Sequence, residues 1–206
     1  IADQISSREA TDAVPKALAA LADLEVELPF ERTAGDEIQA LIAHPQTVVE
    51  CITTLTRLAD WRIGIGVGTV QQPLPSSTRA ARGPAYFAAR DAVAAARRQP
   101  TDFALRLPDT VSGPGYRELD DLAQDAETAI WLWRGLLGRR SQEGWELMDL
   151  LDAGLSNAEA ARKLNITPSA VSQRLAVAAR DEGHRGAALA TRLLTRLQSF
   201  PTRETS

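Results

Sequence analysis

The stretch from Leu155 to Leu175 constrains the fold of this chain more than any other. It reads LSNAEAARKLNITPSAVSQRL. Ser156 is a good helix N-cap, because its hydroxyl can accept a hydrogen bond from a backbone N–H of the first helical turn. Asn165 follows the last apolar residue, and asparagine tolerates the left-handed conformation in which many helices end. The pattern predicts a short helix over residues 158–164.

Thr167 and Pro168 predict a second helix directly after the first. Thr167 is a good N-cap, and Pro168 suits the first helical position, where its missing N–H does little harm. Ala161 supplies the small residue that two helices need to pack closely across a tight turn. The apolar residues expected in their shared core are Leu164, Ile166, Val171 and Leu175. These features together are typical of a DNA-binding helix–turn–helix.

The open face of the second helix carries side chains suited to reading DNA. Glutamine can pair with adenine and arginine with guanine through two hydrogen bonds, while alanine and threonine methyl groups contact thymine. In a helix–turn–helix such residues enter the major groove. The residues predicted to contact DNA are Thr167, Ser169, Ala170, Ser172, Gln173, Arg174 and Arg180. The alternative is an ordinary helical hairpin whose polar face meets only water.

The charge distribution favours the same part of the chain. The net charge of −4 over 206 residues argues against a polyanionic partner when taken as a whole. Residues 139–206, however, hold 10 basic and 8 acidic residues, whereas residues 1–138 hold 13 and 19. The C-terminal part is therefore weakly positive, where a phosphate-binding surface is predicted. Because the excess is small, we expect a homodimer that places two recognition helices on one duplex.

Composition predicts a globular cytoplasmic protein. Hydrophobic residues make up 44% and charged residues 24% of the chain, which is ordinary for a globular protein. No apolar run approaches the roughly 20 residues of a membrane-spanning helix, so we expect no membrane partner. Cys51 is the single cysteine, which excludes an internal disulfide and fits a reducing compartment. It lies on an apolar helical face and is predicted to be a core residue.

The first half of the chain predicts alternating strands and helices. Strands are expected at residues 1–5, 24–32, 37–42, 61–70 and 103–107, and helices at 6–22, 45–58 and 83–97. Gly35-Asp36 suits a tight hairpin turn. The order strand, helix, strand, strand, helix, strand predicts a ferredoxin-like βαββαβ sheet. The expected fold class is α+β, with this domain followed by an all-α helix–turn–helix domain.

A long amphipathic helix is predicted from Tyr116 to Leu137. Its apolar residues recur every three or four positions, at Leu119, Leu122, Ala126, Ile130, Trp133 and Leu137. Such a stripe forms either a dimer or interdomain seam, or the inner face of a helix packed within one subunit. The domains expected are a sheet domain at 1–110, a connecting or dimerisation helix at 116–140 and a helix–turn–helix domain at 141–206.

The sheet domain resembles the class III nucleotidyl cyclase domain in IADQISS, in ERTAGDEIQALI and in WRIGIGVG. In that family one aspartate on a strand and one in the β-hairpin hold two metal ions against a nucleotide triphosphate, and the matching residues are Asp3 and Asp36. Two carboxylates on adjacent strand ends suit Mg²⁺, which keeps phosphate as a ligand. Local roles in a turn or a helix cap are the alternative. Gly64, Gly66 and Gly68 would admit a ligand or a neighbouring backbone.

The helix after this glycine-rich strand departs from the cyclase pattern. Cyclases carry an asparagine and an arginine there, which position the ribose and stabilise charge in the transition state. In GPAYFAARDAV Arg90 matches the arginine, but Tyr86 replaces the asparagine and offers no amide. We therefore expect a degenerate domain that senses a ligand, with a nucleotide as the candidate effector, or that makes the dimer. The alternative is a metal-dependent enzyme that uses Asp3 and Asp36 on nucleotide triphosphates.

Taken together, IADQISSRE, RTAGDEIQ, GPAYFAARDA and ITPSAVSQRL resemble the SatD family of bacterial proteins. The resemblance covers nearly the whole chain and implies a cyclase-like domain joined to a helix–turn–helix. It supports the architecture more than it supports any ligand. The sequence thus predicts a bacterial transcription regulator that binds double-stranded DNA. A module whose helix–turn–helix binds another protein is a further alternative.

Overall fold

The computed structural model describes residues 1–5, 11–99, 101–111, 113 and 115–200. In these residues the chain has an α+β fold with one five-stranded mixed sheet and eight α-helices. The strands are β1 (Ala2–Gln4), β2 (Leu28–Arg32), β3 (Glu37–Leu41), β4 (Trp61–Gly66) and β5 (Phe103–Arg106). The helices are α1 (Val14–Leu21), α2 (Pro45–Leu58), α3 (Pro84–Ala96), α4 (Tyr116–Leu137), α5 (Gln142–Asp152), α6 (Asn157–Lys163), α7 (Pro168–Ala178) and α8 (Arg180–Gln198).

Most of the predicted elements are confirmed, and the differences have local causes. The strand predicted at 24–32 begins only at Leu28, because the N–H of Leu24 still donates to the carbonyl of Leu21 in a turn after α1. The strand predicted at 61–70 is shorter, since Thr69 leaves the sheet and accepts a hydrogen bond from the start of α3. The helix predicted at 6–22 corresponds to α1, which begins only at Val14: residues 11–13 are not helical, since the N–H of Ala13 donates to the side-chain oxygen of Gln4. Residues 6–10 of the predicted helix lie outside the described residues.

The strands lie in the order β2-β3-β1-β4-β5. β1 is antiparallel to β3 and β4, β2 is antiparallel to β3, and β4 is parallel to β5. Asp3 is the register partner of Glu37 on one side and of Arg62 on the other. Because directly paired residues share a face of a sheet, these three side chains lie on one face. Gly35 makes the turn between β2 and β3 with a positive φ of 57°, as its place in the predicted hairpin requires.

Two glycines of β4 allow α3 to lie directly on the sheet. A Cβ atom on Gly64 would lie 2.2 Å from the backbone nitrogen of Val93, and one on Gly66 would lie 2.1 Å from the carbonyl oxygen of Ala85. No side chain fits in that space. Of the two occupants predicted for these glycines, the neighbouring backbone is therefore the one confirmed.

The opposite face of the sheet packs against α1, α2 and α4, and α8 packs against α2 and α4 to complete the main core. The apolar stripe predicted on α4 lies wholly within it, since each of its six residues is at most 6% exposed: Leu119, Leu122, Ala126, Ile130, Trp133 and Leu137. The stripe thus packs inside the chain. Cys51 is buried in the same core, as predicted, and burial raises the pKa of its thiol to about 12.

Arg134 joins three elements beneath the sheet although its side chain is buried. Its Nε donates to Thr56 Oγ1 of α2 (3.1 Å), and its terminal nitrogens donate to the carbonyl oxygens of Trp61, Thr101 and Asp102. Burial lowers the pKa of Arg134 to about 10, against the opposing effect of the Asp102 carboxylate. The guanidinium is therefore still charged at neutral pH, and it ties α2 and α4 to the starts of β4 and β5.

Side chains of α4 also cover the outer edge of β5. Trp131 Nε1 donates to the carbonyl of Phe103 (2.7 Å), and a Glu127 carboxylate oxygen accepts from the N–H of Leu105 (2.9 Å). The same carboxylate pairs with Arg106 at 2.7 Å. Backbone groups that a neighbouring strand would otherwise bind are thus hydrogen-bonded to a helix of the same chain.

The helices α5, α6 and α7 have a core of their own, separate from the main core. It consists of Leu147, Met148, Leu151, Ala160, Ala161, Val171 and Ala178. The last helix, α8, packs instead against α4 and α2. At this contact a Cβ on Gly186 would lie 2.4 Å from the Trp133 ring, and Trp133 Nε1 donates to the carbonyl of Gly183. Across the described residues, no helix combines the length and apolarity needed to cross a membrane.

Substitutions of two glycines should have opposite effects on stability, because only one of the two lies in the contact between α3 and β4. Gly66→Ala forces α3 away from the sheet, and we expect it to lower the free energy of unfolding by about 3 kcal/mol. Gly135→Ala, in the last turn of α4, places its Cβ 3.6 Å from Thr101 Cγ2, an ordinary contact, and should raise stability slightly because alanine favours a helix. Urea unfolding of both variants makes the comparison, and equal effects would contradict the close packing.

Replacing the buried guanidinium should destabilise the whole sheet domain. Arg134→Met keeps most of the apolar stem but removes a donor from three backbone carbonyls, of which that of Asp102 still accepts from the N–H of Ile63, so we expect a loss of about 3 kcal/mol. Arg117→Met, at an exposed position of the same helix, should change stability by less than about 0.5 kcal/mol. Calorimetric melting of the two variants tests this, and a similar Tm for both would show that Arg134 is dispensable.

Candidate nucleic-acid interface

The helix α6 begins with a complete capping box. Ser156 Oγ accepts from the N–H of Glu159, and the Glu159 carboxylate accepts from the N–H of Ser156 at 2.8 Å. These reciprocal bonds satisfy two donors of the first helical turn. The Ser156 hydroxyl also donates to the Glu159 carboxylate at 2.6 Å, and this bond, together with the one from the Ser156 N–H, lowers the pKa of that exposed carboxyl. The N-cap role predicted for Ser156 is thus confirmed.

The turn between α6 and α7 has the geometry expected of its sequence. Asn165 adopts a left-handed conformation with φ of 53°, and the N–H of Ile166 donates to the carbonyl of Ala161 at 3.0 Å. Thr167 Oγ1 then accepts from the N–H of Ala170 at 3.1 Å and caps α7, with Pro168 at its first position. The turn thus fixes where α7 starts.

Ala161 and Val171 form the contact between the two helices, and both are buried. Leu164, Ile166 and Leu175 are partly buried around them. The predicted small-residue contact and shared core are therefore confirmed. This packing leaves the first half of α7 on the surface.

The structure separates the residues predicted to contact DNA by their exposure. Four are exposed on one side of α7 and its cap: Thr167, Ser169, Ser172 and Gln173. Ala170 and Arg174 are half-buried. Arg174 lines a cavity between α5 and α7. A hydrogen bond from the Ser141 side chain lowers the pKa of the Glu143 carboxyl, and the charge of Arg174 adds to this effect. The exposed side chains of this face that can donate hydrogen bonds are therefore Gln173 and the hydroxyl residues.

Arg180 lies apart from this surface. It begins α8, and its Nη2 donates to Asp152 of α5 at 2.9 Å, while its Nε is buried without a hydrogen-bond partner. The structure thus places it where α8 meets α5. Two exposed basic residues at the end of α6, Arg162 and Lys163, were not among the predicted contacts. Their place in the last turn of α6, directly before the turn into α7, could have indicated them from the sequence.

The two aspartates predicted as metal ligands lie at neighbouring strand ends. The N–H of Gln4 donates to the backbone carbonyl of Asp36 at 3.1 Å, which joins the end of β1 to the β2–β3 turn. The carboxylate of Asp3 is buried, and its Oδ2 lies 3.1 Å from Arg97 Nη2 and 3.6 Å from Arg62 Nη1. A metal ion bound to this oxygen would have to displace at least one guanidinium.

An arginine that directly follows α3 contacts Asp3, and the arginine predicted from the resemblance to cyclases lies elsewhere on that helix. Arg90 is exposed on α3, and Arg97, seven residues and two helical turns further on, pairs with Asp3. Tyr86 borders a small cavity of about 110 Å³, and its hydroxyl is buried without a hydrogen-bond partner. Burial raises the pKa of that hydroxyl. In the described part of the chain, no three His, Cys, Asp or Glu residues cluster so as to hold a metal ion.

Comparisons of this chain with models of protein families, with curated proteins and with solved structures found no match.

Proposed function

We propose that this chain is a transcription regulator that reads double-stranded DNA with α7. The observation that supports the proposal most directly is the open polar face formed by Thr167, Ser169, Ser172 and Gln173 on a capped helix. The helix is supported from behind by the separate core of α5, α6 and α7. A short helix held in this way can enter the major groove with its N-terminal residues foremost.

The sheet domain, in this proposal, is a degenerate cyclase-like domain of the SatD family. The strand order β2-β3-β1-β4, with antiparallel neighbours throughout, is that of a ferredoxin-like sheet, and β5 adds a parallel strand. The domain senses a ligand or forms the homodimer that brings two α7 helices onto one duplex. The DNA-binding part of one copy is only weakly positive, so two copies on one duplex should bind more tightly than one. A cytoplasmic location, expected from the single Cys51, stays a prediction.

Gln173 is the position at which the proposal is best tested. Gln173→Ala should weaken binding to a duplex selected from a random library by about 1–3 kcal/mol, because a two-bond contact with a base is lost. Binding to unselected DNA should change little, since phosphate contacts supply most of it. Gel-shift titrations at two salt concentrations measure both affinities.

Gln124→Ala, at an exposed position of α4, is the matched control and should leave both affinities unchanged. Selected duplexes should contain two half-sites spaced by about one helical turn or a multiple of it, if the dimer binds as proposed. A protein without any salt-dependent affinity for DNA would contradict the proposal and favour a protein partner for α7.

A second candidate function is binding of a nucleotide with Mg²⁺ at Asp3 and Asp36. The hydrogen bond between Gln4 and Asp36, which holds the two strand ends together, favours it. When bound, the ion would neutralise phosphate oxygens. The guanidiniums of Arg62 and Arg97 beside Asp3 compete with the ion and are themselves suited to phosphate. The candidate therefore includes an enzyme acting on nucleotide triphosphates and an effector site without turnover.

Thermal melting with each nucleotide triphosphate and Mg²⁺ or Mn²⁺ tests this candidate. A bound nucleotide should raise the Tm of the native chain, because ligands that bind only the folded state stabilise it. The increase should disappear in Asp36→Asn and persist in Asp23→Asn, an exposed control. Chromatography of the same mixtures reports turnover. A Tm that responds to none of the nucleotides would remove the candidate.

A further inference from the structure

Polar contacts join the α5–α7 unit to the rest of the chain. Arg57 of α2 donates to both carboxylate oxygens of Asp149 of α5, at 2.8 and 2.7 Å. Two guanidiniums lie over the ring of Trp145 of α5, with Arg140 at 4.7 Å and Arg57 at 5.5 Å from its centre. Asp152 pairs with Arg180 of α8. These contacts surround one cavity, which we call the junction cavity.

The junction cavity has a volume of about 480 Å³ and lies between α2, α4, α5 and α8. This volume is within the range of sites that hold small organic molecules. The lining of the cavity includes the rings of Trp133 and Trp145 with Leu58 and Met148. It also includes charged groups that connect the two units. A molecule in the cavity would therefore touch both the main body and α5.

The charges of the junction cavity favour an anion. Both of its carboxylates already have cationic partners: Asp149 pairs with Arg57, and Asp152 pairs with Arg180. A cationic ligand would have to compete with these groups. Arg140 adds a further guanidinium, whose Nε donates to the carbonyl of Ala178 at 2.7 Å. Burial lowers the pKa of Arg140, with Asp152 opposing the effect.

Arg57 is the group that can exchange its partner at low cost. Its side chain is 42% exposed and that of Asp149 is 52% exposed, so water already solvates both. Ion pairs of this kind contribute little to stability. A guanidinium presents the same two parallel N–H donors to any carboxylate or phosphate. An incoming anion can thus take the place of Asp149 without breaking a buried interaction.

We propose that the junction cavity binds a small organic anion, whose carboxylate or phosphate replaces Asp149 on Arg57 while its apolar part lies against Trp133 and Trp145. Such a ligand separates α5 from α2 at the one bidentate ion pair that joins them. The regulatory part of the inference rests on the proposed DNA-binding function. Since α5 packs against α7, a ligand that prefers one arrangement of the junction would change DNA affinity.

Four probes of similar shape test the binding site: benzoate, phenyl phosphate, benzylammonium and benzyl alcohol. Titrations of the full chain, followed by NMR shifts of the tryptophan indole N–H groups, should show at least tenfold tighter binding for an anion than for benzylammonium. A preference for benzoate or for phenyl phosphate identifies the acidic group. Equal binding of all four probes, or binding of none, would overturn the proposal.

Substitutions of the ion pair separate the proposal from a merely structural role. Arg57→Met should weaken binding of the preferred anion at least tenfold. Asp149→Asn removes the competing carboxylate and should tighten it severalfold, a gain that a misfolded protein would not show. Arg98→Met, an exposed arginine of the described residues away from the cavity, is the control. Unchanged affinity in both Arg57→Met and Asp149→Asn would overturn the proposal.

The link to DNA is measured separately, by gel shift at a saturating concentration of the preferred anion. We expect DNA affinity to change at least threefold in the native chain and not in Arg57→Met. A chain that binds the anion but no DNA would contradict the proposed function and leave the cavity assignment intact. A chain that binds DNA with unchanged affinity in the presence of the bound anion would overturn the regulatory part alone.

Discussion

The buried guanidinium of Arg134 is the interaction on which the sheet domain depends. A charged group in a core is stable only when hydrogen bonds compensate for its lost hydration. Arg134 meets that condition by binding backbone carbonyls at the beginnings of β4 and β5 and the hydroxyl of Thr56. The positions of two strands and two helices are thereby set by one side chain. The position of the sheet relative to α4, and with it that of α3 on the other face, therefore depends on this residue.

Local signals in the sequence predicted the helix–turn–helix well. Ser156, Asn165 and Thr167 act on backbone groups within four residues of themselves, so their roles can be inferred without knowing the fold. The same holds for Pro45 and Pro84, which begin α2 and α3 as expected. Where neighbouring residues in the chain decide the conformation, the sequence contains the answer directly.

The interactions that the sequence did not reveal connect distant segments. Asp3 and Arg97 are 94 residues apart, and nothing near either residue indicates that they pair. Arg90, the arginine predicted from the resemblance to cyclases, is exposed on α3. Burial of a charge such as Arg134 is likewise decided by the packing of whole helices. The candidate site in the sheet domain was therefore predicted less completely than the interface on α7.

The helix-covered edge of β5 limits how two copies of the chain can associate. Because Trp131 and Glu127 already bind the outward backbone groups of Phe103 and Leu105, a second sheet cannot continue the first across this strand. Oligomers that grow by adding strands at that end are excluded as long as α4 stays in place. Two copies that met at this end of the sheet could therefore contact each other only through side chains, and their fit there would depend on surface complementarity rather than on shared backbone hydrogen bonds.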